Sequence, residues 1–219
     1  LDMNGEKIDF NNDNGLSERD FDTYMNECGY KDSGIEWIGE IPFKSKIKRM
    51  KIVGDIFGGL TYKPENVVNK NDLNSILVLR SSNIQNEKIS FGNNKYVNIK
   101  VNNKILVRNG DILICGTNGS KSLVGKSALI SKKEKGMTFG SFMMVLRQND
   151  YKSNFNYYLM NSSLIKEQIR LSAETSTIYQ LTKKNFNNFK LVEFSLPEQK
   201  AISSFLDKKT SQFKNQVLN

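Results

Sequence analysis

The stretch GTNGSKSLVGKS, residues 116–127, gathers glycines, hydroxyls and two lysines directly behind the apolar run DILIC. That composition suits phosphate, because glycines let backbone amides approach the oxygens while a lysine meets their charge. The spacing departs from that of a phosphate loop, however: five residues separate Gly119 from Gly125 where four are required, and SALIS beyond Lys126 reads as a strand and not a helix. The segment is therefore expected to be a polar, basic hairpin loop. Its Thr117, Asn118, Ser120, Lys121 and Lys126 carry the donors and charge to meet a nucleic-acid backbone or base edges; the competing reading is an ordinary solvated turn.

Catalytic alternatives are narrowed by what is missing. The chain has no histidine, so a Ser-His-Asp or Cys-His nucleophile and an HExxH zinc site are excluded. Its three prolines, Pro42, Pro64 and Pro197, are never adjacent. The Asn-Pro-Pro-aromatic loop of amino-methylating DNA methyltransferases is thus missing, and the chain does not read as a self-sufficient methyltransferase. Cys28 and Cys115 are its two cysteines and lie far apart without a CxxC partner, which argues against a disulfide framework and a zinc site. Cys115 sits in the apolar run DILICG, where a thiolate is disfavoured, so inert burial is expected over an enzyme built on that thiol. The Gly58-Gly59 pair in DIFGGLTYKP looks only superficially like a cofactor turn, since turns use such pairs routinely. No catalytic residue, metal or cofactor is assigned to this chain.

Charge is unevenly distributed. Of the 32 basic and 23 acidic side chains, residues 1–42 hold 3 and 11, which leaves 29 and 12, a net +17, for residues 43–219. A basic body of that size behind an acidic leader favours a polyanion, because each phosphate neutralised releases condensed counterions. A lysine-rich surface with no such partner is the bland alternative.

These groups need a scaffold. At 219 residues and 38% hydrophobic the chain can bury a substantial core. No run approaches the roughly eighteen apolar residues of a membrane span, and LDMNGEKIDF lacks the order of a signal peptide, so a cytoplasmic location without a membrane partner is expected. In the leader, LSERDFDTYMNECG has an N-cap at Ser17, helical spacing of Phe21, Tyr24, Met25 and Cys28, and a stop at Gly29, which predicts a short helix within an acidic extension over residues 1–29. From Ile76 to Arg147 short β-branched runs (ILVLR, KYVNI, KILVR, DILIC, SALIS, FMMVLR) alternate with Asn, Gly and Ser, predicting a mainly β core. Helices are expected between Asn154 and Leu171 and over TKKNFNNF, the latter capped by Thr182. LPEQKAISSFLDKKTSQF closes the chain as an amphipathic helix: Pro197 suits its first turn, Glu198 complements the dipole, and Ile202, Phe205, Leu206, Phe213 and Val217 form a stripe interrupted by Lys209. The fold class is α+β: a mainly β domain with peripheral helices over residues 30–195, followed by a C-terminal amphipathic helix of coiled-coil type over residues 196–219.

The runs YKDSGIEWIGEIP, GLTYKPENVV, LVLRSSNIQNEKISF, VRNGDILICGTNGSKSLVGKSALIS and LPEQKAISSFLDKKTSQ closely resemble the specificity subunits of type I restriction-modification systems. The resemblance extends from Tyr30 to Gln212, and its most specific parts are GIEWIGEIP and EQKAISSFLDKKT. It implies a non-catalytic reader of double-stranded DNA whose α+β target recognition domain grips one part of a split sequence. It implies also that helices serve as a spacer around which methyltransferase (modification) subunits dock, with separate restriction/motor subunits for cleavage and S-adenosylmethionine bound by the methyltransferase partner. Full-length members carry two recognition domains and two helical regions; this chain has one of each, so a second copy of itself or the second half of a longer subunit is the expected partner for its helix. Base readout needs forked donors and acceptors. The candidates for DNA contact are therefore Arg80, Ser81, Asn83 and Gln85 in LRSSNIQ, the Thr117–Lys126 loop, and Thr175, Thr177, Tyr179, Gln180, Lys183 and Lys184 in ETSTIYQLTKK, Tyr179 reading equally well as core. The rival reading is a stand-alone nucleic-acid-binding or regulatory protein with the same fold.

Overall fold

A computed structural model describes residues 29–149, 154–172 and 179–217, the last four by backbone alone. The leader helix, Cys28, Thr175, Thr177 and the side chain of Val217 lie outside the described residues. The chain divides into two compact units: one combines residues up to Arg49 with Lys152–Leu159 and Lys190–Asn219, and the other combines Met50–Tyr151 with Met160–Phe189.

In the first unit, β1 (Tyr30–Asp32) pairs antiparallel with β2 (Glu40–Pro42), Lys31 opposite Ile41. The turn between them uses Gly34 at φ +72° and Gly39 at φ +70°, values that a side chain resists. These are the glycines of GIEWIGEIP, and Asp32 helps shape the turn by accepting the Gly34 amide at 2.9 Å. β3 (Lys46–Arg49) pairs antiparallel with β16 (Lys190–Glu193).

The last helix, Leu196–Val217, opens on a capping box that the sequence reading overlooked. Glu198 accepts the Ser195 amide at 2.7 Å, and the Glu198 amide donates to the Ser195 hydroxyl at 3.4 Å, satisfying donors that a helix start leaves open. Its buried positions are Ala201 and Ser203, whereas Ile202, Phe205 and Leu206 are half-buried and Phe213 is 65% exposed. Part of the expected stripe is thus partly covered. Further along the helix, Asn154 donates to both Asp207 oxygens at 3.1 and 3.2 Å, and the Tyr158 hydroxyl donates to Asp207 at 2.5 Å. Burial, followed by the bond to the Asp207 carboxylate, pushes the Tyr158 phenol up to about 12. A proton held more tightly in the folded state contributes stability below the unfolded phenol value near 10, and that stability is lost as pH rises towards 12. Tyr158→Phe is expected to reduce the loss of thermal stability between pH 10 and 12 relative to the parent; equal slopes in melts across that range would contradict the assignment.

In the second unit, β4 (Gly54–Gly58), β10 (Ile112–Cys115), β12 (Ser127–Leu129) and β14 (Met143–Gln148) form an antiparallel sheet in the order β12-β10-β14-β4. A second sheet runs β13-β6-β9-β5, from Thr138–Phe139, Ile76–Leu79, Lys95–Val97 and Val67–Val68, with β13 parallel to β6, and β7 (Ile84–Gln85) pairs antiparallel with β8 (Lys88–Ile89). Leu77, Leu79 and Phe139 from one sheet and Leu113, Cys115, Ala128, Met143 and Val145 from the other fill a common core. Alternation along β6, β10 and β14 sends those residues to one face, and burying each large side chain contributes roughly 1.5–3 kcal/mol. Cys115 is fully buried, and burial pushes its thiol up against the opposing pull of Asn118 and Lys126. Its place in the core is the one its strand suggested.

Three elements differ from expectation. KILVR is no strand: Asn102 accepts the Lys104 amide and caps a 3-10 turn over Asn103–Ile105. The helical stretch near residue 160 divides at Ser162 into α1 (Phe155–Asn161) and α2 (Ser163–Ser172). In FMMVLR the strand begins at Met143, and Phe142 stands outside it, 68% exposed. The short helix α3 (Lys183–Asn188) forms as read, Thr182 accepting the Asn185 amide at 3.1 Å; the C-terminal helix described above is α4.

Candidate nucleic-acid interface

Three segments far apart in sequence meet in one open groove of about 950 Å³ in the second unit. The first is the turn after β6, where Arg80, Ser81 and Ser82 line the groove beside Asn93. Asn83 shapes this turn from within: its Oδ1 accepts the Arg80 amide at 3.0 Å, and its Nδ2 donates to the Ser90 carbonyl at 2.9 Å and to Asn94 at 3.2 Å. Arg80 is held by Asn93, to whose carbonyl and side-chain oxygen it donates, both at 3.0 Å. Arg80 Nε and the Ser82 hydroxyl are buried without a hydrogen-bond partner among the described residues, and such groups are few in native proteins.

The second and third segments are joined by a two-residue ladder. β11 (Thr117–Asn118) pairs antiparallel with β15 (Tyr179–Gln180), placing Thr117 opposite Gln180 and Asn118 opposite Tyr179. Thr117, Asn118, Gly119 and Gln180 line the groove, and Gly140, Ser141, Phe142, Met143 and Tyr62 complete it. Among the described residues no acidic side chain is in this lining, while the carboxamides Asn93, Asn118 and Gln180 are.

Gly59 of the Gly58-Gly59 pair has its explanation here. A Cβ at Gly59 would lie 2.1 Å from the Gly140 carbonyl oxygen, whereas one at Gly58 would meet nothing within 4 Å, so it is Gly59 that permits two backbones to approach closely and support the Gly140–Phe142 loop.

The basic half of the 116–127 loop turns elsewhere. Lys121 and Lys126 line a separate cleft of about 580 Å³ with Lys166 and Arg170 of α2, Glu87 and Ile169. Gly125 serves packing: at φ +84° it brings its backbone so near Ile169 that a Cβ would lie 2.6 Å from Cδ1. Lys166 lies 3.6 Å from Glu87, and Arg170 pairs with Glu167 at 2.6 Å.

The structure therefore sorts the expected contact residues. Arg80, Ser81, Thr117, Asn118 and Gln180 share the groove, and Lys121 and Lys126 share the cleft. Asn83 is corrected: it is 0% exposed and fully engaged in holding its own turn, so it has no edge to offer a base. Gln85 is exposed but outside the groove lining and bonds the Ser82 carbonyl. Ser120 bonds Ser122 at 2.9 Å, Tyr179 is half-buried, and Lys183 and Lys184 are exposed on α3; none of the four lines either cavity. Sequence reasoning missed Ser82, Asn93, Ser141, Phe142 and Tyr62. Gly140-Ser141-Phe142 between two strand runs was the available signal for the loop, but the apolar Phe142 read as part of the strand.

This mainly β unit with flanking helices has the fold of solved specificity subunits of type I systems. Against the HsdS subunit from Thermoanaerobacter tengcongensis the TM-score is 0.58 at 17% identity, covering 84% of this chain and 40% of that one. A chain from a structural study of type I R-M system assembly and conformational transition aligns with a TM-score of 0.62 at 17% identity, over 85% of this chain and 42% of that one. The sequence carries the relation further: residues 42–219 match the family described as the type I restriction modification DNA specificity domain, and the chain belongs to that family. It is 30% identical over 173 residues to the StySPI type I restriction enzyme specificity subunit of Salmonella potsdam, over 77% of this chain and 37% of that relative. The chain thus spans well under half the length of this relative. Among the described residues no helix is long and apolar enough to cross a membrane.

Proposed function

We propose that this chain reads DNA for a type I restriction-modification assembly and performs no chemistry itself. The observation that carries this reading is the groove in which Arg80 and Ser81, Thr117 and Asn118, and Gln180 converge, with no acidic side chain among its described lining residues. Carboxamides and guanidinium are the forked groups suited to base edges, whereas lysines hold phosphates as point charges. In this reading the groove reads bases and the cleft of Lys121 and Lys126 holds backbone.

Its partners are duplex DNA, methyltransferase subunits that bind S-adenosylmethionine, and restriction/motor subunits. A second copy, or the second half of a full-length subunit, would cover the exposed Phe213 end of α4. Cellular placement follows that of the assembly, in the cytoplasm.

The chain assembled with its cognate methyltransferase subunit is expected to select a consensus from randomised duplexes. Reversing charge at Lys121 and Lys126 together should weaken binding to that consensus and lower the salt slope by about two, as for lost phosphate contacts. No consensus, or no complex with the methyltransferase, would overturn the proposed function. An unchanged slope would remove the cleft from the interface.

A further inference from the structure

Phe142 combines an exposed ring with a tightly held backbone. The ring is 68% exposed, yet the Phe142 carbonyl accepts the amides of both Gly116 and Thr117 at 2.9 Å, and the Met143 amide donates to Gly140 at 2.8 Å. Gly140 itself donates to Leu79 at 3.0 Å and is backed by the close approach of Gly59. A large apolar side chain is thus presented to solvent from a rigid base, on a groove whose other exposed side chains are polar and include Gln180. The ordering cost of using such a ring is already met in the free protein.

The surrounding chemistry selects what the ring meets. One arm of the groove's guanidinium, Nη2, is committed to Asn93, and among the described residues no carboxylate lines the groove to accept from cytosine. Asn118 is held in its own loop, accepting the Ser120 amide at 3.0 Å and donating to Cys115 Sγ at 3.9 Å. The exposed Gln180, by contrast, matches the paired donor and acceptor of adenine, and the base opposite adenine presents the one apolar group of the major groove, the thymine 5-methyl. We propose that Phe142 is a specificity residue that packs on the 5-methyl group of a thymine in the DNA site. The inference rests on the DNA-reading function proposed above.

The test uses the chain assembled with its methyltransferase subunit and duplexes of the selected consensus in which each thymine is replaced singly by uracil. At one position the loss of the methyl group is expected to weaken wild-type binding about fourfold, the value of burying one such group. Phe142→Ala should bind the parent duplex more weakly, with an unchanged salt slope, and show no response to uracil at that position. Phe142→Leu, which keeps an apolar surface, should retain part of the response. A consensus without thymine, a wild type indifferent to uracil throughout, or an alanine variant that keeps the full uracil response would each overturn the role of Phe142 while leaving DNA reading intact. An assembly that selects no consensus would instead overturn the proposed function and this inference with it. Thermal melts verify that the variants fold, as expected for an exposed ring.

Discussion

Arg147→Ala is expected to lower the unfolding free energy by about 3–5 kcal/mol, the cost of leaving a buried charge without its partner. Arg147 donates from Nε and Nη2 to the two oxygens of Asp111 at 3.0 and 2.8 Å. It also reaches the carbonyls of Lys104 at 3.0 Å and Leu106 at 2.9 Å, and its guanidinium lies 4.8 Å from the centre of the Phe57 ring. Asp111 is 2% exposed, so truncating Arg147 strands a carboxylate in the protein interior. The planar fork also ties β14 to the irregular KILVR segment, and Arg147→Lys should recover little because an ammonium cannot reproduce it. Removing both charges, with Asp111→Asn beside Arg147→Met, should cost less than Arg147→Ala alone. Urea unfolding at constant m-value measures each loss; a change under about 1 kcal/mol for Arg147→Ala would mean that the pair behaves as an exposed one.

Asn83→Ala is expected to destabilise by on the order of 3 kcal/mol, because several groups lose their partner at once and each buried unsatisfied group costs roughly 1–3 kcal/mol. The Arg80 amide, the Ser90 carbonyl and the Asn94 side chain are those groups. Asn83 and Gln180 therefore separate experimentally. Gln180→Ala should leave the melting temperature within a degree or two, since its side chain is exposed, and alter the consensus that the assembly selects. Asn83→Ala should lower the melting temperature first, and any change in DNA binding should follow the fraction folded. An Asn83→Ala protein of parental stability with an altered consensus would return Asn83 to the reading set.

The two variants mark where sequence reasoning reached and where it stopped. ILVLR, DILIC and FMMVLR announced β6, β10 and β14 because short, β-branched apolar runs bounded by Asn, Gly and Ser suit a buried strand, a signal visible in order alone. KILVR carries the same signal but spends it differently. Val107 is buried in the shared core, while the Asn102 cap turns the preceding backbone away from a ladder. Thr182 was legible as a cap because its partner lies three residues on; the Asp207 partners, Asn154 and Tyr158, were not, because they come from some fifty residues away.

By itself the sequence determined the chemistry available: a histidine-free, strongly basic body with carboxamides, hydroxyls and lysines clustered in three loops, and a family signature at both ends. Only the tertiary structure decided which of those groups share a surface. The β11–β15 ladder brings Gln180 to Thr117, a pairing of residues more than sixty apart. The turn of the 116–127 loop parts Asn118 from Lys126, and the Asn83 network takes inside a side chain that looks, by type, like a base reader. Residue type sets what a group can bond, and that is local information. Burial and company are set by long-range packing, which no short stretch contains.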